Sequence, residues 1–142
     1  MPGMYIVRLA VDGKVFEQQL NVKMDPRVKT SMAELQKQHN LSLQCYEGWK
    51  KCTDVLNEIN VYKSTLANLD SAKMRQLTEL ENTPQGSQTP SFARLNVNFA
   101  ALQNILQETD MPPTTQTVKA VAEMQKQLAD LSKKWNDLKQ KQ

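Results

Sequence analysis

The sequence is poor in the residues from which catalytic and metal centres are built. Its 142 residues include one histidine, two cysteines, four glycines and only three Phe, two Trp and three Tyr. It contains no Cys-x-x-Cys pair, no glycine-rich phosphate loop and no Gly-x-Ser-x-Gly motif. We therefore predict that this chain has no catalytic residue, no metal site, no cofactor and no enzymatic activity of its own.

The residues that could carry chemistry have simpler interpretations. No Cys, His or acid accompanies His39 at ligand spacing, so it is interpreted as a boundary residue on a helix. Cys45 as a nucleophile would need a base, and His39 lies six residues away, on another face of a helix. Paired carboxylates could indicate glycoside hydrolysis. Here they are scattered among Lys, Gln and Asn, as on a solvated surface: Asp54, Glu58, Asp70, Glu79, Glu81, Glu108 and Asp110.

The two cysteines cannot bond to each other on a helix. Cys45 and Cys52 are seven residues apart, a separation of about 10 Å along a helix axis. A disulfide requires Cα atoms within about 7 Å of each other. We therefore predict that both thiols are small buried apolar groups.

The charge pattern and the absence of long apolar runs exclude two classes of partner. The net charge is +3, and no basic cluster exists that would favour nucleic acid. No apolar run approaches the roughly 20 residues of a membrane-spanning helix, and the N-terminus lacks a signal-peptide layout. Because Met1-Pro2-Gly3 opens directly into a strand pattern, we expect this chain to be a segment of a longer protein.

The first 29 residues predict a β-hairpin. Residues 4–11 and 14–22 have strand-like alternation, and Asp12-Gly13 between them is a strong signal for a type I′ turn. If Val11 pairs with Lys14, one face of the hairpin is apolar and carries Tyr5, Val7, Leu9, Phe16, Leu20 and Val22. An isolated hairpin is marginally stable. We therefore expect it to pack on the helices or to be the last strand pair of a larger sheet.

Residues 30–142 predict an antiparallel bundle of three to four helices, over about 30–69, 71–82, 91–108 and 115–140. Ser31 and Glu34 form a capping box at the first helix. Its predicted buried stripe is Met32, Leu35, His39, Leu43 or Tyr46, Trp49, Cys52, Leu56, Ile59, Leu66 and Leu69. The last helix has a heptad-like seam of Val118, Val121, Met124, Leu128, Leu131, Trp135 and Leu138. Trp49 and Trp135 are predicted core anchors, and Met32, Met74 and Met124 predicted core-filling residues.

A resemblance to a known class of protein rests on two stretches of the sequence. They are residues 2–14, Pro-Gly-Met-Tyr-Ile-Val-Arg-Leu-Ala-Val-Asp-Gly-Lys, and residues 20–31, Leu-Asn-Val-Lys-Met-Asp-Pro-Arg-Val-Lys-Thr-Ser. They resemble the C-terminal region of large secreted BNR-repeat proteins, often labelled glycosyl hydrolases or sortilin-like proteins. In that class a β-propeller precedes a small sheet domain, and the sheet domain ends in such a strand pair before a helical tail. The likeness is specific over residues 2–31 and loose over the helices, and it implies a parent class rather than an activity.

The sequence thus predicts a non-catalytic C-terminal accessory module of a larger periplasmic or extracellular protein. Its expected partners are the upstream domains of that parent and a second copy bound through the hairpin, with no nucleic acid and no membrane span. One alternative is a carbohydrate-active or sugar-binding domain, which would need exposed aromatic residues beside carboxylates. Another is a stand-alone coiled-coil-like scaffold.

Overall fold

The computed structural model describes residues 2–65, 71–84 and 87–140, which form a β-hairpin followed by four helices. This confirms the predicted mostly α fold with an N-terminal hairpin. None of the described helices combines the length and apolarity needed to cross a membrane. The elements are β1 Gly3–Val11, β2 Lys14–Val22, α1 Met32–Thr65, α2 Ser71–Glu81, α3 Phe92–Gln107 and α4 Thr115–Gln140.

The hairpin has the register that the sequence predicts. Val11 pairs with Lys14, and the antiparallel ladder continues to the base of the hairpin, where Gly3 pairs with Val22. Nine residues per strand give the hairpin a length of about 30 Å. Every residue of both strands is exposed, so the hairpin projects from the bundle instead of packing along it.

α1 and α3 run antiparallel and form the largest helix–helix interface. Two hydrogen bonds fix their direction. The Asn96 side-chain amide donates to Thr53 Oγ1 at 2.8 Å, and the Gln107 amide donates to Ser42 Oγ at 3.1 Å. Along the interface, the residues of α1 that α3 contacts have falling numbers as the numbers in α3 rise. The two helices are therefore antiparallel, as in the predicted bundle.

α4 runs parallel to α1 and antiparallel to α3. Gln125 donates to the Gln44 carbonyl oxygen at 2.9 Å, and Trp135 Nε1 donates to Glu58 at 3.0 Å. The short helix α2 lies near the C-terminal ends of α1 and α4, where Glu81 forms an ion pair with Lys63 of α1. The three long helices therefore alternate in direction along the chain, with α2 at one end of the bundle.

The core is drawn from all four helices. The predicted seam of α4 is buried from Val121 to Leu138, and Trp135 is only 2 % exposed. On α3 the buried residues are Phe92, Leu95, Phe99 and Leu106, and on α2 they are Leu77 and Leu80. Among the described residues, the apolar core cluster contains no residue of the hairpin. The bundle therefore closes its core without the strands.

The buried face of α1 agrees with the predicted stripe in part: Leu35, Cys52 and Ile59 are buried as predicted. The residues that face the core are Leu41, Cys45, Gly48, Cys52, Val55 and Ile59. His39, Leu43 and Tyr46 are exposed, and Trp49 is partly buried at the edge of the core, so its prediction as a core anchor was wrong. At Gly48 the missing side chain leaves room for the Phe99 ring of α3.

Two predicted core methionines are also on the surface. Met32 and Met74 are 49 % and 39 % exposed, whereas Met124 is buried as predicted. Met32 is the first residue of α1. The predicted continuation of α1 through Leu66 and Leu69, and the break at Asp70, lie outside the described residues.

Candidate interaction surface

The hairpin is built around the turn at Asp12-Gly13. Asp12 has φ of 49° and Gly13 has φ of 75°, the positive values that a type I′ turn requires at both central positions. Glycine adopts this conformation without strain, and Asp tolerates it better than most residues. This turn has the twist of the flanking strands, so it fixes the register and determines which side chains share a face.

One face of the hairpin is almost entirely apolar. The paired positions Tyr5 and Leu20, and Leu9 and Phe16, lie on it side by side. Their exposed fractions lie between 43 % and 58 %. The complete set, named here the apolar hairpin face, is Tyr5, Val7, Leu9, Val11, Phe16, Leu20 and Val22. This exposed apolar surface, on a protein with a closed core, makes the hairpin the candidate interaction site.

The opposite face of the hairpin is mixed. The guanidinium of Arg8 lies across from Glu17, and its Nε donates to a Glu17 carboxylate oxygen at 2.8 Å. Met4, Ile6 and Val15 share this face and are exposed. The ion pair makes this side of the hairpin more hydrophilic than the apolar hairpin face, which has one charged residue, Lys14 at the turn.

The segment between the hairpin and the bundle begins with a turn that is stabilised by hydrogen bonds among its own residues. Val28 N donates to the Asp25 carbonyl at 3.0 Å, which closes a β-turn with Pro26 at its second position. The Asp25 carboxylate accepts from the Arg27 side chain at 2.7 Å and from the Arg27 backbone N–H at 2.9 Å. These bonds stabilise the charged form and lower the pKa of Asp25. The turn therefore redirects the chain toward α1.

The predicted capping box fixes the start of α1. Glu34 accepts from the Ser31 backbone N–H at 2.9 Å, and Ser31 Oγ accepts from the Glu34 N–H at 3.3 Å. One residue earlier, the Thr30 hydroxyl donates to the Asp110 carbonyl oxygen in the loop after α3. Gln38 donates to the Thr109 carbonyl in the same loop. The start of α1 is thus tied to the loop that follows α3.

A cleft of about 420 Å³ lies where the hairpin meets the bundle. His39 lines it, as do Leu35, Ser42 and Leu106 from the helices and Val22 from the strand. The buried Ser42 hydroxyl already accepts from Gln107, and His39 is exposed. The hydrogen bond between Gln107 and Ser42 thus joins α3 to α1 beside the cleft, whose lining also includes Lys23, Asp25 and Asp110.

The thiols are buried, as predicted. Cys45 and Cys52 have no exposed surface, and burial raises the pKa of Cys45 to about 11 and that of Cys52 to about 12. A thiol is nucleophilic as the thiolate, so both are poor nucleophiles near neutral pH. Within residues 2–65, 71–84 and 87–140, no three His, Cys, Asp or Glu side chains lie close enough to hold a metal ion.

The acidic residues weighed as catalytic candidates are spread over the surface, and Asp70 lies outside the described residues. Glu81 pairs with Lys63 of α1, and Glu58 takes part in a cluster of three groups that spans α1 and α4. It accepts from Trp135 Nε1 at 3.0 Å and from Lys139 Nζ at 3.1 Å, and these two bonds lower its pKa. The Lys139 ammonium also lies 4.9 Å from the centre of the Trp135 ring.

Sequence reasoning missed this cluster, since Glu58 and Trp135 are 77 residues apart and neither lies in a motif. Tyr62 completes it with an edge-to-face contact to Trp135, at 5.6 Å between ring centres. Each group in the cluster has a clear structural role, which is to hold α4 against α1. We therefore interpret it as part of the bundle rather than as a reaction centre.

Comparisons with known proteins give no relative. No family model, no curated protein and no solved structure matches this chain.

Proposed function

We propose that this chain is a non-catalytic interaction module, and that it binds a partner through its hairpin. The observation that carries the proposal is the apolar hairpin face, which remains exposed on a protein whose helices bury a core of their own. Full burial of a Val, Leu or Phe side chain contributes about 1.5–3 kcal/mol. The seven residues of the face are 37–58 % exposed, so covering them contributes roughly half of that amount each, and this gain must exceed the entropy lost on association.

The backbone of the hairpin favours a partner made of β-strands. The pairs Val11–Lys14 and Gly3–Val22 direct their N–H and C=O groups inward, so the groups that point outward on β1 belong to Met4, Ile6, Arg8 and Ala10. β1 has a single charged residue and no proline. Edge strands that avoid pairing usually carry charges or proline. The β1 edge therefore accommodates an added strand.

The resemblance of residues 2–31 to BNR-repeat proteins supports a specific setting for this module. These residues coincide with the hairpin, its turn at Pro26 and the start of the capping box. In a larger periplasmic or extracellular protein of that class, the upstream sheet would supply the strands beside β1. The helical bundle would then follow as a C-terminal tail.

Site-specific photo-crosslinking in the cells that naturally make the protein tests the proposal. A photoreactive residue at Phe16 lies on the apolar hairpin face, and one at Val15 lies on the opposite face with almost the same exposure, 57 % against 58 %. We expect adducts at position 16, either to another protein, to an upstream segment or to a second copy, and few at position 15. Equal yields at both positions, or none at either, would contradict the proposal.

A further inference from the structure

We propose that the apolar hairpin face binds a second copy of the same chain, with the two hairpins stacked face to face and their turns pointing in opposite directions. This inference rests on the proposed function and names its partner. Hairpin faces that pack as two layers lie about 10 Å apart and bury the side chains between them. The two-fold axis passes between the layers at the middle of the hairpin, where Val7 pairs with Gln18.

The order of side chains along the hairpin is complementary to itself in this arrangement. The rotation places β1 over β1 and β2 over β2, so that Leu9 meets Tyr5 of the second copy and Phe16 meets Leu20. Val7 meets Val7 at the axis. Each contact between two different positions then occurs twice, once from each copy, as in every closed two-fold interface.

The two polar positions of the face are also accommodated. Gln18 lies at the axis and meets Gln18 of the second copy, and two amides can each donate and accept. Lys14 lies beside the turn, at the rim. Its long side chain extends past Val22 of the second copy into solvent. A charged residue at the rim and an amide pair at the centre place no unpaired charge inside the interface.

The opposite orientation of the turns follows from the position of the bundles. Each bundle joins its hairpin at the base, where Val22 leads into the turn at Pro26. Turns that point the same way would bring both bundles to one end and force them together. Turns that point in opposite directions place one bundle at each end of the paired hairpins, about 30 Å apart.

The area of the face reaches what a stable dimer needs. The exposed surface of its seven residues, backbone included, is about 600 Å² per copy, so complete coverage in both copies would bury at most about 1,200 Å², the lower end of standard interfaces. Edge-to-edge pairing of β1 would instead join two apolar faces into one larger exposed surface. Face-to-face stacking is therefore preferred, because it removes that surface from water.

Analytical ultracentrifugation of the intact chain tests the inference by measuring its oligomeric state while the protein concentration is varied about a hundredfold. We expect the unmodified chain to dimerise, Phe16→Glu to weaken dimerisation at least about tenfold, which corresponds to about 1.4 kcal/mol, and Val15→Glu to dimerise like the unmodified chain. Both residues are exposed, so circular dichroism is expected to show an unchanged helical content in each variant.

A monomer throughout the range would overturn the dimer, as would a dimer that persists in Phe16→Glu or is lost equally in Val15→Glu. Crosslinks at Phe16 to a different protein in cells would overturn the second copy as the partner while leaving the proposed function intact. The face-to-face arrangement of the hairpins is tested separately with a short bis-maleimide crosslinker. This reagent is expected to join two copies of Gln18→Cys much faster than two copies of Gln19→Cys. Equal rates would exclude face-to-face stacking.

Discussion

The Phe99 ring lies so close to Gly48 that a Cβ atom at position 48 would be 2.6 Å from Phe99 Cζ. Both residues are buried, and Phe99 is completely inaccessible to solvent. Gly48 lies between Cys45 and Cys52 on the side of α1 that faces α3, so three small residues on successive turns allow the helices to approach. α1 and α3 can thus lie this close together because residue 48 is a glycine and has no side chain.

We expect Gly48→Ala to destabilise the bundle in spite of the better helix propensity of alanine. Alanine gains about 1 kcal/mol in a helix interior, but the added methyl overlaps a ring that has no space to move, and such overpacking costs about 1–3 kcal/mol or more. The free energy of unfolding in urea measures the balance. In the background of Phe99→Leu, which removes the tip of the ring, the same substitution is expected to be less harmful. Equal effects in both backgrounds would contradict the steric explanation.

Glu58 is expected to make stability depend on acid pH. Its pKa is lower in the folded protein than the ordinary value of 4.5, because Trp135 and Lys139 donate hydrogen bonds to the carboxylate. Its contribution is therefore complete above that value and is lost as the pH falls through the folded pKa. We expect a contribution below about 1 kcal/mol, since the group is half-exposed.

The comparison of the unmodified chain with Glu58→Gln separates this effect from the other carboxylates. Asp25 and Glu34 also have lowered pKa values, but they are present in both proteins. The difference in unfolding free energy between the two is expected to be largest near neutral pH and to shrink below about pH 4. A difference that stays constant from neutral pH to acid would show that the charge of Glu58 has no part in the contact.

The native protein is expected to react very slowly with a thiol reagent such as DTNB at pH 8. Cys45 and Cys52 are buried, and their pKa values of about 11 and 12 keep both thiols protonated. Addition of denaturant should release two equivalents of thiol rapidly. Rapid release of either equivalent without denaturant would contradict the position of the cysteines in the core.

Gly13→Val is expected to disrupt the hairpin and leave the bundle folded. A β-branched residue at φ of 75° is strongly strained, whereas the helical core includes no strand residue among those described. Amide hydrogen exchange should therefore show lost protection in β1 and β2 only, with Asp12→Asn as the control that retains the turn. Loss of protection throughout the helices would show that the bundle depends on the hairpin.

The elements that could be predicted from sequence are those determined by local patterns. The Asp12-Gly13 turn determined the hairpin register, and the Ser31–Glu34 capping box marked the start of α1. The seam of α4 followed from its regular three- and four-residue spacing. For the same reason the apolar hairpin face could be named from sequence, because a register fixes every side chain of a two-stranded ladder.

The buried side of α1 could be predicted only in part: the burial of Cys45 and Cys52 followed from the sequence, whereas the burial of Gly48 did not. The spacing of Trp49 and Tyr46 suggested a core stripe, but the interface with α3 selects Cys45, Gly48 and Cys52. Their contribution is the space that they leave for Phe99, which becomes apparent only when both helices are placed together. The contact between Glu58 and Trp135 likewise depends on the parallel course of α1 and α4, which no local pattern encodes.

The separation of the hairpin from the core has a consequence for how this protein can evolve. A substitution at Leu9 or Phe16 alters a surface that the bundle does not use, so it meets little opposition from folding stability. The strands are therefore constrained by the partner proposed for them, and the helices by their own packing. Under the proposed function, such a division would let the hairpin change what it binds while the bundle keeps its stability.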